Sequence, residues 1–121
     1  MTIKISDEER VDDLGRMGYR IIQNKGKFCF GMDAVLLSWF AKTVEGDRIL
    51  DMGTGTGIIP LLMKARAEEK KIACHFTGLE IQEEMAEMAK RTICLNDLSK
   101  DITIIKGDIK EASQIFGKTS F

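Results

Sequence analysis

The stretch "RILDMGTGTGIIP" (residues 48–60) carries three alternating glycines, Gly53, Gly55 and Gly57, between two apolar runs. A short strand, "RILDM", leads into the loop, and a helix-like run, "IIPLLMKARAEEKK", leaves it. Pro60 falls in the first turn of that helix, where its missing N–H costs nothing. A glycine loop at the C-terminal end of a strand lets a ligand lie against the main chain, and the next helix presents free N–H groups beside it. Many nucleotide sites share this layout. Asp51, just before the loop, is the feature to be explained, because most glycine loops cradle negative phosphate.

Three readings separate on the residues. A phosphate-binding P-loop ends in Gly-Lys-Ser/Thr, whereas Gly57 is followed by Ile58 and Ile59. The dinucleotide fingerprint G-x-G-x-x-G, counted from Gly53, meets isoleucine at its sixth position. Asp51 is the third discriminator. Two opposite charges about 4 Å apart gain roughly 4 kcal/mol at an effective dielectric near 20, and like charges lose as much. A pyrophosphate is therefore disfavoured and a cationic ligand favoured. S-adenosyl-L-methionine (SAM), with an ammonium and a sulfonium but no phosphate, meets the requirement.

Outward from the loop, strand and helix alternate. "ACHFTGLEI" reads as a second strand and "QEEMAEMAKRTICLND" as a second helix, with Met85, Met88, Ala89, Thr92 and Leu95 at helical spacing. "DITIIKGD" is a third strand, and "IKEASQIFG" a short helix closed by Gly117. This order predicts an α/β fold, a parallel sheet with flanking helices and right-handed crossovers. The second and third strands both end in an acid. Glu80 stands where ribose hydroxyls can donate to it, a device that dinucleotide enzymes share. Asp108 is placed to accept from an adenine amino group, with Ile81 and Ile109 on either side of the ring.

Upstream, "YRIIQ" and "KFCF" flank "NKG", which predicts a hairpin turning at Gly26 in the left-handed conformation. Residues 1–13 read as a loose acidic arm. "GMDAVLLSWFAKTVEG" predicts a helix capped by Asp33, ended at Gly46 and burying Val35, Leu36, Trp39 and Phe40. The expected division is residues 1–46 as arm, hairpin and helix, and 47–121 as the first half of a cofactor-binding domain.

The composition bounds the rest. A chain of 121 residues, 44% hydrophobic and 31% charged with net charge -1, is one ordinary globular domain with no overall pull toward nucleic acid or membrane. The polar start "MTIKISDEER" lacks a signal-peptide core, and "AVLLSWFA" is too short to span a bilayer, so the expected location is cytoplasmic. Cys29, Cys74 and Cys94 lie far apart and His75 is the only histidine, so no metal site is expected. Arg16, Arg20, Lys25 and Lys27 fall in residues 14–30, which hold no acid, and are candidates for phosphate contacts.

Taken as a set, "LDMGTGTG", "GLEI" and "KGDI" resemble the motifs of Class I SAM-dependent methyltransferases. "FCFGMDAVLLSWFA", together with Gln23, narrows the resemblance to the bacterial tRNA(Val) (adenine-N(6)-)-methyltransferase family, through Phe28, Phe30, Gly31, Asp33, Ala34, Leu36 and Leu37. The resemblance implies a Rossmann-like fold, SAM as cofactor held by Asp51, Gly53, Gly55, Gly57, Glu80, Ile81, Asp108 and Ile109, and methyl transfer to the exocyclic amine of a tRNA adenine. A protein glutamine methyltransferase and a non-catalytic nucleoside-binding module are the alternatives. One departure stands out. The family's Asn-Pro-Pro-Tyr motif, which holds the target amine, has no counterpart here, where Pro60 is the only proline. The expectation is therefore a chain truncated after the third strand, inactive by itself, with no catalytic residue of its own and prone to self-association through an unpaired strand.

Overall fold

The computed structural model describes residues 3–26 and 32–116. Three parallel strands, β3 (Arg48–Met52), β4 (His75–Glu80) and β5 (Ile102–Lys106), form a sheet in the order β3-β4-β5. They alternate with α2 (Ile58–Lys70) and α3 (Glu83–Leu95), as the pattern predicts. Asp51 pairs in register with Gly78, and Glu80 with Lys106, so the strands end together at one edge of the sheet. After β5 a single 3-10 turn (Ile109–Glu111) runs into α4 (Ala112–Phe116). Gly117, expected to close this helix, lies outside the described residues.

Both long helices cover the sheet face that carries Phe76, Ile102 and Ile104. Leu61, Leu62 and Ala65 of α2 and Ala86, Ala89 and Ile93 of α3 complete that core. Met88 is fully buried, a core filler as its helical spacing suggests. Small residues let the two helices meet closely: a β-carbon at Gly57 would sit 3.4 Å from that of Ala89. Lys64 is buried in the same region. Burial alone would lower its pKa, but a 2.7 Å ion pair to Glu68 and the charge of Asp101 hold it above the ordinary lysine value.

The N-terminal hairpin exists, but its strands are not the expected ones. β1 (Glu9–Asp13) pairs antiparallel with β2 (Arg20–Asn24), and the chain turns through residues 14–19, where Gly15 and Gly18 take positive φ. Gly26 does not. The proposed partner "KFCF" lies outside the described residues. Residues 9–13 are thus a strand where a loose arm was expected. Their acidic composition argued against a strand, but the tertiary structure neutralises it. The Arg91 guanidinium on α3 grips Glu9 with two bonds of 2.7 and 2.5 Å, and Asp12 accepts from Arg10 and Gln23. Side chains of α3 also satisfy the outer edge of β2. Thr92 Oγ1 accepts from the Ile22 amide at 3.0 Å, and Asn96 both accepts from the Arg20 amide and donates to its carbonyl. Tyr19 and Ile21 then enter the same core as the sheet.

Helix α1 (Met32–Phe40) is shorter than predicted. Asp33 is its second residue rather than its cap, and Gly46 lies in the turn before β3 with φ 86°. Thr43 and Val44 are poor helix formers, and the Val44 amide donates to the Asp47 carboxylate instead of continuing the helix. The predicted burial also fails for three of four residues. Val35 is half-buried, but Leu36, Trp39 and Phe40 are 48%, 55% and 79% exposed, while Ser38 is buried. A run that is apolar all round gives no unique inward face. Polar contacts decide it: the Arg66 guanidinium donates to the Ser38 carbonyl, and Arg66 and Arg16 lie 5.1 and 5.6 Å from the centre of the Trp39 ring.

The Glu9–Arg91 pair makes a testable link between acidity and folding. Its hydrogen bond to Arg91 lowers the Glu9 pKa to about 2. A depressed carboxylate pKa adds stability that is complete above its unfolded value of 4.5 and is lost as pH falls through about 2. Arg91→Ala should cost about 2–3 kcal/mol in urea unfolding at pH 7. The difference between the two proteins should shrink steadily as the pH is lowered across that interval.

Candidate functional site

The candidate site lies where the three parallel strands end. Leaving β3, the chain takes positive φ at Gly53, Gly55 and Gly57 (79°, 58° and 85°), a path that residues with a β-carbon rarely follow. The Gly53 and Thr54 amides both donate to the Leu79 carbonyl, at 2.8 and 3.0 Å, folding the loop back over β4. The Gly57 amide closes the turn on the Thr54 carbonyl at 2.9 Å, and α2 starts at the next residue.

Glu80 organises the surrounding loops. It is 8% exposed. One carboxylate oxygen accepts from the Gly55 amide and the other from the Gln82 amide, each at 2.9 Å. Its carbonyl accepts from the Gly107 amide at 3.0 Å, which draws in the end of β5. Asp108 follows at once. Its carboxylate accepts from the Lys110 amide at 2.9 Å, so one oxygen caps the 3-10 turn. Between these loops lies a small open cleft of about 90 Å³, lined by Gly53, Leu79, Glu80, Ile81, Asp108 and Ile109. Ile81 and Ile109 are 57% and 52% exposed on its walls.

Asp51 is set deeper, on the sheet face that carries Gly78. Its Oδ2 is buried and has no hydrogen-bond partner. Burial pushes its pKa above the ordinary carboxylate value, and the negative charge of Glu80 pushes the same way. The Thr54 hydroxyl opposes the shift, although it makes no well-formed hydrogen bond to Asp51. A buried acid, Glu80, and a half-buried one, Asp51, whose Oδ2 lacks a donor, suit a ligand that brings positive charge and N–H donors.

The structure thus brings Gly53, Glu80, Ile81, Asp108 and Ile109 together on one cleft, with Gly55 and Gly57 in the loop beside it. Asp51 does not line that cleft; it lines a second one, between α1, β3 and α2, with Leu37, Ile49 and Met63. Met85, at helical spacing in the sequence, has a role that the pattern did not suggest: its Cε lies against Gly55. The basic candidates are dispersed. Arg16 is paired with Glu69 at 2.9 Å, and Arg20 and Lys25 stand at opposite ends of β2. Lys27 lies outside the described residues. Among the described residues no group of three or more His, Cys, Asp or Glu side chains is arranged to hold a metal, and no helix is long and apolar enough to cross a membrane.

One support of the loop was invisible in the motif itself. A β-carbon at Gly78 would come within 2.7 Å of the Thr54 side chain, which occupies the space above the strand. Gly78→Ala should displace Thr54 and the loop with it. The expected cost is about 1–3 kcal/mol in thermal or urea unfolding, the range for overfilling a packed site. An unchanged melting curve would mean that the loop adapts freely.

Comparison with known proteins agrees with this architecture. Residues 43–121 match the sequence profile of a family described as a methyltransferase domain. A tRNA1(Val) (adenine(37)-N6)-methyltransferase from Histophilus somni is 31% identical over 91 residues, covering 75% of this chain and 37% of the relative. One of the same name from Bacteroides thetaiotaomicron is 35% identical over 78 residues, covering 64% and 32%. The chain spans about a third of the length of these curated relatives. Among solved structures, Pyrococcus horikoshii TYW2 in complex with MeSAdo is similar with a TM-score of 0.66 at 20% identity, over 88% of this chain and 38% of that one. Methanocaldococcus jannaschii Trm5 in complex with adenosine gives a TM-score of 0.66 at 21% identity, over 88% and 32%. These likenesses carry the fold, and the profile match takes in every element from β3 to α4, so the chain belongs to the methyltransferase domain family.

Proposed function

We propose that this chain binds SAM in the cleft at the ends of β3, β4 and β5, as the cofactor-binding part of an enzyme that methylates the exocyclic amine of an adenine in tRNA. The observation that carries the first half is the buried, unpartnered Oδ2 of Asp51 beside the charge of Glu80. An ammonium group supplies both the charge and the donor that this pair lacks; a phosphate supplies neither. When bound, SAM brings a methyl group made electrophilic by its sulfonium. This chain's residues bind and orient it. Asp51 holds the ammonium end, and the glycine loop lets the ligand approach the main chain. Glu80, already fixed by two amides, accepts from the ribose hydroxyls with its remaining lone pairs. Asp108 accepts from the adenine amine, and Ile81 and Ile109 flank the ring.

The tRNA half of the proposal rests on the names of the similar proteins and on the upstream resemblance around residues 23–37. It leaves methyl transfer to residues other than those described, since no group here is assigned to hold the target amine. Arg20 and Lys25 are the exposed basic candidates for phosphate contact.

Calorimetric titration tests the cofactor assignment on the chain itself. SAM and its demethylated product should bind, and NAD should not. Asp51→Asn should weaken SAM by at least tenfold, equivalent to about 1.4 kcal/mol. The same change should raise the melting temperature of the ligand-free protein, because an acid whose pKa is raised by folding costs stability once it ionises. Affinity of the unaltered chain should fall as pH drops through the raised Asp51 pKa, and the Asn variant should lose that dependence. With methyl-labelled SAM and bulk tRNA, the chain alone should incorporate no label; clear turnover would place the transfer chemistry within these residues.

A further inference from the structure

Two buried side-chain oxygens beside the glycine loop lack a hydrogen-bond partner: Oδ2 of Asp51 and the Thr54 hydroxyl. Both lie on one face of the sheet. Asp51 pairs in register with Gly78, and Thr54 fills the space directly above Gly78, where a β-carbon would meet its Oγ1 and Cγ2 at 2.7 Å. The main chain of Thr54 is fixed at both ends. Its amide donates to the Leu79 carbonyl at 3.0 Å, and its carbonyl accepts from the Gly57 amide at 2.9 Å. The side chain is thereby held in the notch, and the residue is 4% exposed.

A buried hydroxyl without a partner destabilises a fold relative to a methyl group of the same shape. Valine would fill the notch above Gly78 as well as threonine does, so packing gives no reason for the hydroxyl. Its neighbour gives one. The other surroundings of Asp51 among the described residues favour the protonated acid. Leu37 of α1 and Ile59, Pro60 and Met63 of α2 are apolar, and Glu80 of β4 adds a like charge. The Thr54 hydroxyl is the group that favours the carboxylate. We propose that Thr54 is a positioning residue for Asp51: seated above Gly78, its hydroxyl turns its hydrogen to the Asp51 carboxylate and holds that group charged and oriented for the ammonium of the ligand. A hydroxyl hydrogen rotates to suit its acceptor, so a turn of the Asp51 side chain closes the bond. This role rests on Asp51 being the residue that meets the ammonium. A protonated Asp51 has no charge to offer it.

Carboxyl NMR titration of Asp51 in the ligand-free protein, with its resonance assigned through Asp51→Asn, tests the link directly. Thr54→Val keeps the volume and removes the donor. It should raise the Asp51 midpoint by about one pH unit, whereas Thr54→Ser should leave the midpoint near that of the unaltered chain. Thr54→Ala, which empties the notch instead of filling it, is the second probe and should also raise the midpoint. The pH profile of SAM affinity should move with it. Thr54→Val should bind about tenfold more weakly below both midpoints and equally well far above them. An Asp51 midpoint unmoved in both the valine and alanine variants would overturn the proposal. So would a loss of SAM affinity equal at every pH, which marks a packing role alone. Asp51→Asn binding SAM as tightly as the unaltered chain would instead overturn the ammonium assignment, while a shifted midpoint would still stand for the hold of the hydroxyl on the carboxylate.

Discussion

The architecture of the candidate site depends on the Glu80 carboxylate. Its two oxygens accept amide protons from the glycine loop and from the turn into α3, and its carbonyl accepts from the end of β5. Three loops from three strands are thereby tied to one buried residue. An anion in this position costs desolvation, which is offset by charge-assisted bonds to main-chain amides. The cleft is therefore shaped before any ligand enters it. The ligand meets a rim of fixed acceptors rather than side chains that it must first order, and fixed acceptors reduce the entropy cost of binding.

Asp51 is the complement of this arrangement. Glu80 is satisfied by the protein; Asp51 is left short of a donor and above its ordinary pKa. Local instability of this kind concentrates where a ligand is to be held, and the rest of the fold must carry it. Here the sheet does so with ordinary means: an apolar face under α2 and α3, small residues where the helices cross, and Gly78 making room for Thr54. The hairpin adds a second layer of support, fixed to α3 by Thr92, Asn96 and Arg91.

The stretch from residue 48 onward was legible because local signals and tertiary outcome coincide there. Strand, glycine loop and helix follow one another at a spacing that only a parallel arrangement accommodates, and the acids at the strand ends fall on one side of it. The upstream part was harder. Residues 9–13 hold one apolar side chain among charged ones, and the partners that neutralise the acids are about eighty residues away at Arg91 or across the hairpin. Helix α1 departs from expectation for the opposite reason: its sequence is apolar on every side, so nothing local says which residues face inward.

The sequence by itself determined the α/β order of elements, the glycine loop, and the acids at the ends of three consecutive strands. These follow from short-range rules of turn geometry and hydrophobic spacing. Only the tertiary structure decided which strand pairs with β2, that Phe40 and Trp39 lie outside while Ser38 lies inside, and that Glu80 is satisfied while Asp51 is not. Those outcomes depend on contacts between residues far apart in the chain: Arg66 with the Ser38 carbonyl, Arg91 with Glu9, and Glu80 with the Gly55 amide. A side chain's burial and the number of donors that reach it are set by what folds against it, which spacing along the chain does not encode.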